Sequence, residues 1–397
     1  MPWKEPSDMT STPTRAAQHR PTEPKVPAVS AVSAVGTPVE LGRRAVAALS
    51  FRNIGAVYVW LLIVVIFSVW APETFPTATT VKQVLNGNAV AGLVALSVVT
   101  PLAARVFDLS VAYTMSLTSV LTARFLVSAG LGPGTAITLA MTAALLVGVI
   151  NGIVVVVLRV DSFIATLATG ALIQSLITMV TNDSSITGVQ MLAKPFASIA
   201  QLDAGGITLP VLYLLVAAVA IWFLLEHTAT GRRLYATGFN ENAARLQGVR
   251  TDRLRFMTLV TAALLSGFAG VVFASSVGSG SPSAGTPYLL SAYAAAFVGA
   301  TQLRAGRFNA WGTVIAVLLL GTGITGLGLA TSAPWATSLF TGSVLIIALV
   351  LTGGRIALPA VLRRRKSPTP GSHPDGADPM PVPAPAPAPA PAPNKEA

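Results

Sequence analysis

Apolar runs of about 20 residues recur along this chain, and nothing else constrains its fold as strongly. A run of that length crosses a bilayer core as a helix, because a helix satisfies its own backbone hydrogen bonds where water is absent. The runs lie near 54–70, 86–104, 109–128, 135–158, 162–180, 209–225, 257–274, 288–301, 310–329 and 335–351. They predict an all-α fold: a polytopic integral membrane helix bundle of about ten transmembrane helices. With 53% apolar and 10% charged residues, an ordinary soluble domain is excluded.

The net charge of +11 could suggest nucleic acid, but the positive residues sit in short loops and tails between apolar runs. Basic loops mark the cytoplasmic side of a plasma-membrane, multi-pass protein, so no nucleic-acid partner is expected. Arg43, Arg44 and Arg52 flank the first run; Arg105 ends the second and Arg159 the fourth. Arg304 and Arg307 mark another inner loop, and Arg355 and the run Arg363, Arg364, Arg365 and Lys366 follow the last helix. The segments 71–85, 129–134 and 181–208 are poor in basic residues and fall outside, which leaves both termini cytoplasmic. Residues 1–42 are rich in Pro, Ser, Thr and Ala, with no apolar core after a basic start, and read as a disordered cytoplasmic extension. The membrane domain is 43–355, with a cytoplasmic loop at 227–256. The tail 356–397 is basic and then Pro/Ala-rich; it stays extended, and its basic part could touch membrane lipid.

Residues 231–256 form the long polar interruption. Arg232, Arg233, Arg245, Arg250, Arg253 and Arg255 face Glu241 and Asp252 there. A short helix is marked at both ends: Asn240 as N-cap, Glu241 near the positive end of the helix dipole, Arg245 toward the other end and Gly248 as a left-handed stop. Two turns of helix are not stable alone, so this one leans on something, and Ala243 and Ala244 would let a partner approach. Composition leaves two readings open: a plug gripped by a cytoplasmic motor, or a basic loop that fixes orientation.

Charges at the bilayer centre cost about 2.5–3.5 kcal/mol, so the few near the runs are informative. Asp108 fits an N-cap on the third helix or a gating carboxylate in a break between helices. Arg124 lies near the outer end of its run, where it snorkels. Thr166, Thr169, Gln174 and Ser175 could face a polar pathway or bond across helices. Gly312, Ala316, Gly321 and Gly328 allow close helix packing. There is no cysteine, and His19, His227 and His373 are too scattered for a metal cluster, so no metal site is expected. No GxxxxGK[ST], HExxH or GxSxG motif occurs, and no catalytic residue is assigned. Uphill transport would draw its energy from a partner or from an ion gradient, as a secondary transporter does. A membrane enzyme or scaffold would need a chemical cluster on one face, and none is seen.

Four stretches resemble one family over about 54–351. Asp108-Leu109-Ser110-Val111 falls where the ribose-type (monosaccharide) ABC importer permeases have GIDLSVG. Asp161-Ser162-Phe163-Ile164-Ala165-Thr166-Leu167 is similar to the family's xxFIATL, and Pro282 onward to its PxAGxGYEL. Residues 231–249 follow GRxxYAxGxNxxAAxxSGI, the most specific of the four. That group also holds permeases for xylose and other sugars, inositol and the autoinducer-2 signal. The resemblance implies that Asn240, Glu241, Ala243, Ala244, Arg245 and Gly248 form the coupling helix gripped by an ABC ATPase subunit. It implies a second permease subunit, identical or different, and an extracytoplasmic solute-binding protein. No cofactor is bound by this chain; ATP is used by the partner. Asp108, Ser110, Phe163, Thr166, Gly299 and Thr301 are the candidate pathway or gate residues. The chain departs from the family at Val106 and Ala112, where glycines are usual, at Leu289, where an acid is usual, and in the less glycine-rich 298–308.

Overall fold

The computed structural model describes residues 51–303, 306–331 and 334–353. The expectations for 1–42, Arg43, Arg44, Arg304, Arg355 and 356–397 lie outside the described residues. The first helices are α1 (Phe51–Trp70), α2 (Ala78–Ala103), α3 (Val111–Val127), α4 (Pro133–Gly152, continued by a π-helical turn at Ile153–Val157) and α5 (Ser162–Thr181). A connection follows with β1 (Ile186–Thr187), the short helices α6 (Val189–Leu192) and α7 (Ser198–Gln201), and a hairpin of β2 (Asp203–Ala204) and β3 (Ile207–Thr208). Then come α8 (Leu209–His227), α9 (Ala229–Phe239), α10 (Glu241–Leu246), α11 (Thr251–Val277) and β4 (Ser279–Gly280). The chain closes with α12 (Thr286–Ala300), α13 (Ala310–Thr331) and α14 (Pro334–Gly353).

Among the described residues six helices are long and apolar enough to cross a membrane: α2, α4 with its π turn, α5, α8, α11 and α13. α1 and α14, each of 20 residues, are apolar along Ala56–Trp70 and Trp335–Ala348, and α3 is a shorter apolar helix. The helical fold class holds, but this count does not reach the expected ten crossings. The reason is visible at two of the predicted spans. The spans 109–128 and 288–301 are α3, of 17 residues, and α12, of 15, and each is entered through non-helical backbone that takes up part of the depth.

Helix boundaries follow local chemistry. Thr77 caps α2 by accepting from Thr80 N, and Pro133 and Pro210 sit in the first turns of α4 and α8. Asn182 ends α5 and Gly278 ends α11 in the left-handed conformation. The 27-residue α11 runs through the middle, packed on α2, α3 and α4. Leu93, Val94, Met115 and Val272 are fully buried in the core beside it. Lipid is as apolar as leucine, so close packing and internal hydrogen bonds stabilise such a core more than transfer from water does. Accordingly, the buried Thr114, Thr118 and Thr122 each donate to the carbonyl one turn back on α3. The outer helices α5 and α8 instead expose large apolar residues such as Leu172, Met179 and Val216, as a lipid-facing surface requires.

At the end of the bundle away from α10, the 182–208 connection is tied down twice. β1 pairs antiparallel with β4, Ile186 opposite Gly280. Asn86 of α2 donates to Gly206 O and accepts from Thr208 N.

Candidate functional site

Two polar assemblies stand out. The first is the turn between α2 and α3. Pro101 cannot donate within α2, and its carbonyl accepts from Ala104 N and Val106 N as the helix unwinds. Arg105 is left-handed there (φ 55°). Four successive backbone N–H groups then find side-chain acceptors. Phe107 N donates to Ser162 Oγ (3.1 Å), Asp108 N to Tyr293 Oη (3.0 Å), Leu109 N to Thr166 Oγ1 (3.0 Å) and Ser110 N to Asp108 Oδ1 (3.0 Å). Ser110 Oγ donates to Asp108 Oδ1 (2.6 Å) and accepts from Asn151 Nδ2 (2.7 Å). Asp108, Ser110, Asn151 and Thr166 are all fully buried. A buried unpaired N–H is costly, so this irregular segment is held in one conformation by its acceptors.

The expectation that Asp108 caps α3 is corrected here. Ser110 occupies the N-cap position without a side-chain cap bond, and Asp108 closes a tight turn onto Ser110. The capping acid is Asp161, which accepts from Phe163 N and Ile164 N at the start of α5. That cap orients Ser162 and Thr166, four residues apart and so on one helix face, toward the turn. The motif stretches at 108–111 and 161–167 are therefore two halves of one contact.

The second assembly is the knob formed by α9 and α10. Gly238 lies directly on the end of α2: a Cβ there would fall 2.1 Å from Ala103 O. Tyr235 Oη donates to Phe308 O (2.7 Å), and the Arg307 guanidinium lies over the Tyr235 and Phe239 rings at 5.3 and 5.5 Å. So α9 touches both the 104–110 turn and the connection between α12 and α13. Asn240 caps α10 by accepting from Ala243 N (3.0 Å), and Gly248 stops it at φ 79°. Glu241 pairs with Arg245 (2.9 Å) and with Arg255 (3.3 Å); Arg245 also pairs with Asp252 and donates to Thr251 Oγ1. These bonds fasten α10 to the start of α11.

The structure places the predicted residues unequally. Asp108, Ser110 and Thr166 meet in one cluster, and the half-exposed Phe163 packs edge-on against Phe107. Gly299 and Thr301 lie elsewhere. Gly299 abuts Gly312 backbone to backbone, and Thr301 Oγ1 donates to Val298 O at the end of α12. Tyr293, earlier on α12, links that helix to the cluster. In the knob, Ala243 is exposed, whereas Ala244 is only 4% exposed and packs into its own chain. A six-residue helix needs that anchorage. The large apolar residue exposed on α10 is Leu246, at 91%, which sequence reading missed. Ser162, Asn151, Tyr293, Thr251 and Arg255 were missed too. The i, i+4 spacing of Ser162 and Thr166 was a usable signal; nothing local marks Tyr293, which is 185 residues from its partner.

A family model described as a branched-chain amino acid transport system permease component matches residues 80–349. The ribose import permease protein of Bacillus subtilis is 33% identical over 296 residues, covering 73% of this chain and 89% of that protein. The Escherichia coli ribose import permease is 29% identical over 73% of this chain and 90% of its own length. The Escherichia coli D-allose transport system permease is 28% identical over 77% and 92%. No solved structure matches the chain significantly. With a match over most of its helices and relatives aligned along nearly their whole length, this chain belongs to the membrane transport permease family that includes the ribose and allose permeases.

Proposed function

We propose that this chain forms the translocation path of an ATP-binding-cassette importer for a monosaccharide. It hydrolyses nothing itself. An ATPase subunit grips α10, a second permease subunit completes the path, and an extracytoplasmic binding protein delivers the solute. In this arrangement α10 and both termini face the cytoplasm and the 182–208 connection faces out.

The observation that supports this most is the construction of the knob. A capped six-residue helix stands off the bundle with Leu246 91% exposed, while ion pairs hold its base to α11. Behind it, Gly238 meets Ala103 with no compressible side chain between them. A push on α10 therefore reaches the 104–110 turn, and through Tyr235 and Phe308 the end of α12 where Gly299 and Thr301 lie. The named substrates of the relatives, ribose and allose, supply the solute class.

The test is uptake by proteoliposomes holding this chain with its ATPase and binding protein. Labelled ribose or another monosaccharide should enter only with ATP inside, and a protonophore should not stop it. Leu246→Asp should weaken ATPase docking about tenfold or more, as loss of a buried apolar anchor does. Uptake that survives ATP depletion but collapses with the proton gradient would instead identify an ion-driven transporter. Uptake of leucine in place of sugars would follow the family description rather than the relatives.

A further inference from the structure

A cavity of about 420 Å³ opens between α2, α12, α13 and α14. That falls within the range of about 300–1,000 Å³ typical of small-molecule sites. It lies well away from the knob: Asn88, on its wall, is separated from Ala103 by about 22 Å of helix.

The backbone leading into it is not helical. After β4 the chain turns back along α3. Ser281 N donates to Ser119 Oγ (3.4 Å), halfway along that helix, and Gly285 N donates to Ser116 Oγ (2.9 Å). A Cβ on Gly285 would fall 1.8 Å from Ala112 O, so the approach needs glycine. Helix α12 therefore starts inside the bundle, and Thr286 and Pro287 of its first turn line the cavity. Irregular backbone at membrane depth is tolerated where protein buries it or where it faces a watery cavity, and interrupted helices border solute sites in transporters.

The wall specifies a chemistry. Asn88, Ser291, Thr337 and Thr341 contribute an amide and hydroxyls, while Val317, Leu320 and Ile324 contribute an aliphatic face. Among the described residues lining it, no Asp, Glu, Lys, Arg or His occurs. Asn88 Nδ2 donates to Val84 O (2.8 Å), Ser291 Oγ to Tyr288 O (3.1 Å) and Thr341 Oγ1 to Thr337 O (2.9 Å). Each hydroxyl hydrogen is committed to its own helix, Asn88 keeps its second N–H, and the side-chain oxygens keep lone pairs for incoming O–H donors. A neutral ring with several hydroxyls and a C–H face suits such a wall. An amino-acid zwitterion would leave two charges without partners there.

We infer that this cavity is a transit site for a neutral polyhydroxylated solute, with Asn88, Ser291 and Thr341 as its recognition residues. The inference rests on the permease reading above and adds where the solute is held.

The test uses the complete permease, ATPase and binding-protein complex in proteoliposomes. Asn88→Leu and Thr341→Val should lower monosaccharide uptake about tenfold, while ATP hydrolysis stimulated by loaded binding protein stays within about twofold. A packing defect would lower both together, and Thr341→Ser should restore uptake. The chain has no cysteine, so Ser291→Cys gives it a single thiol. That thiol should react with a charged, water-soluble reagent, and the reaction should block uptake. If it reacts only with a membrane-dissolved maleimide, the cavity is a lipid-facing crevice and the inference is overturned. If wild type and both cavity variants carry sugar equally, the cavity assignment fails and the permease reading stands. If wild type carries no monosaccharide, both fall.

Discussion

The turn at 104–110 and the knob at 240–252 use the same device under opposite conditions. Each leads into a helix by giving backbone N–H groups at or just before its start to side-chain oxygens. In the turn the acceptors come from α5, α12 and Asp108, and the central ones are fully buried. In the knob one exposed asparagine caps the helix, and the ion pairs around it have side chains 23–52% exposed. Water can replace a lost acceptor in the knob but not in the turn. The turn is therefore rigid and the knob soft, and Gly238 on Ala103 joins the two. On the proposed coupling, the part to be gripped and moved is built where rearrangement costs little. On the same proposal, the part that responds as a unit is built where it costs much.

Four variants sharpen or break that contrast, in descending order of effect. Ser162→Ala with Thr166→Val strips the acceptors from Phe107 N and Leu109 N, at about 1–3 kcal/mol for each orphaned group. Thermal unfolding followed by tryptophan fluorescence in detergent should show a clear fall in Tm; an unchanged Tm would mean that the turn is held by something else. Gly238→Val forces α9 off α2 and should cost about 1–3 kcal/mol, with uptake per ATP hydrolysed falling more than stability does. Equal losses in both would remove the joint between knob and turn. Asn240→Ala should weaken α10 by about 1 kcal/mol without moving the Tm of the bundle, and is read as a weaker pull-down of the ATPase subunit. Glu241→Gln removes two partly exposed ion pairs worth about 0.2–1 kcal/mol each. Its uptake defect should be clearest at low salt and shrink at high ionic strength, where wild type loses the same attraction. A defect that grows with salt would contradict the electrostatic account.

Much of this was readable from the chain. Helix positions follow the apolar runs within a few residues for most elements, because bilayer thickness and backbone hydrogen bonding leave few alternatives. The ends of α10 were equally legible, since Asn240 and Gly248 act on their immediate neighbours. Three readings could not be completed that way. Asp108 reads as a cap or a gating carboxylate, but the turn that holds it is fixed by Ser162, Thr166 and Tyr293 from distant segments. Ala243 and Ala244 read alike in the sequence, but which of them faces outward is decided by how α9 and α11 pack. The span at 288–301 looked like an ordinary crossing, but its start inside the bundle follows from Gly285 seating on Ala112.

The amino-acid order by itself determined that this chain is a helical membrane bundle with a basic, capped knob in one loop, because those features depend on side-chain polarity and on contacts within a turn or two. The tertiary structure alone decided which polar groups meet at the 104–110 turn, which face of the knob is free, and where a cavity opens beside the interrupted α12. Those depend on which distant backbone groups lack a partner and which side chains reach them, and no local pattern along the chain records that.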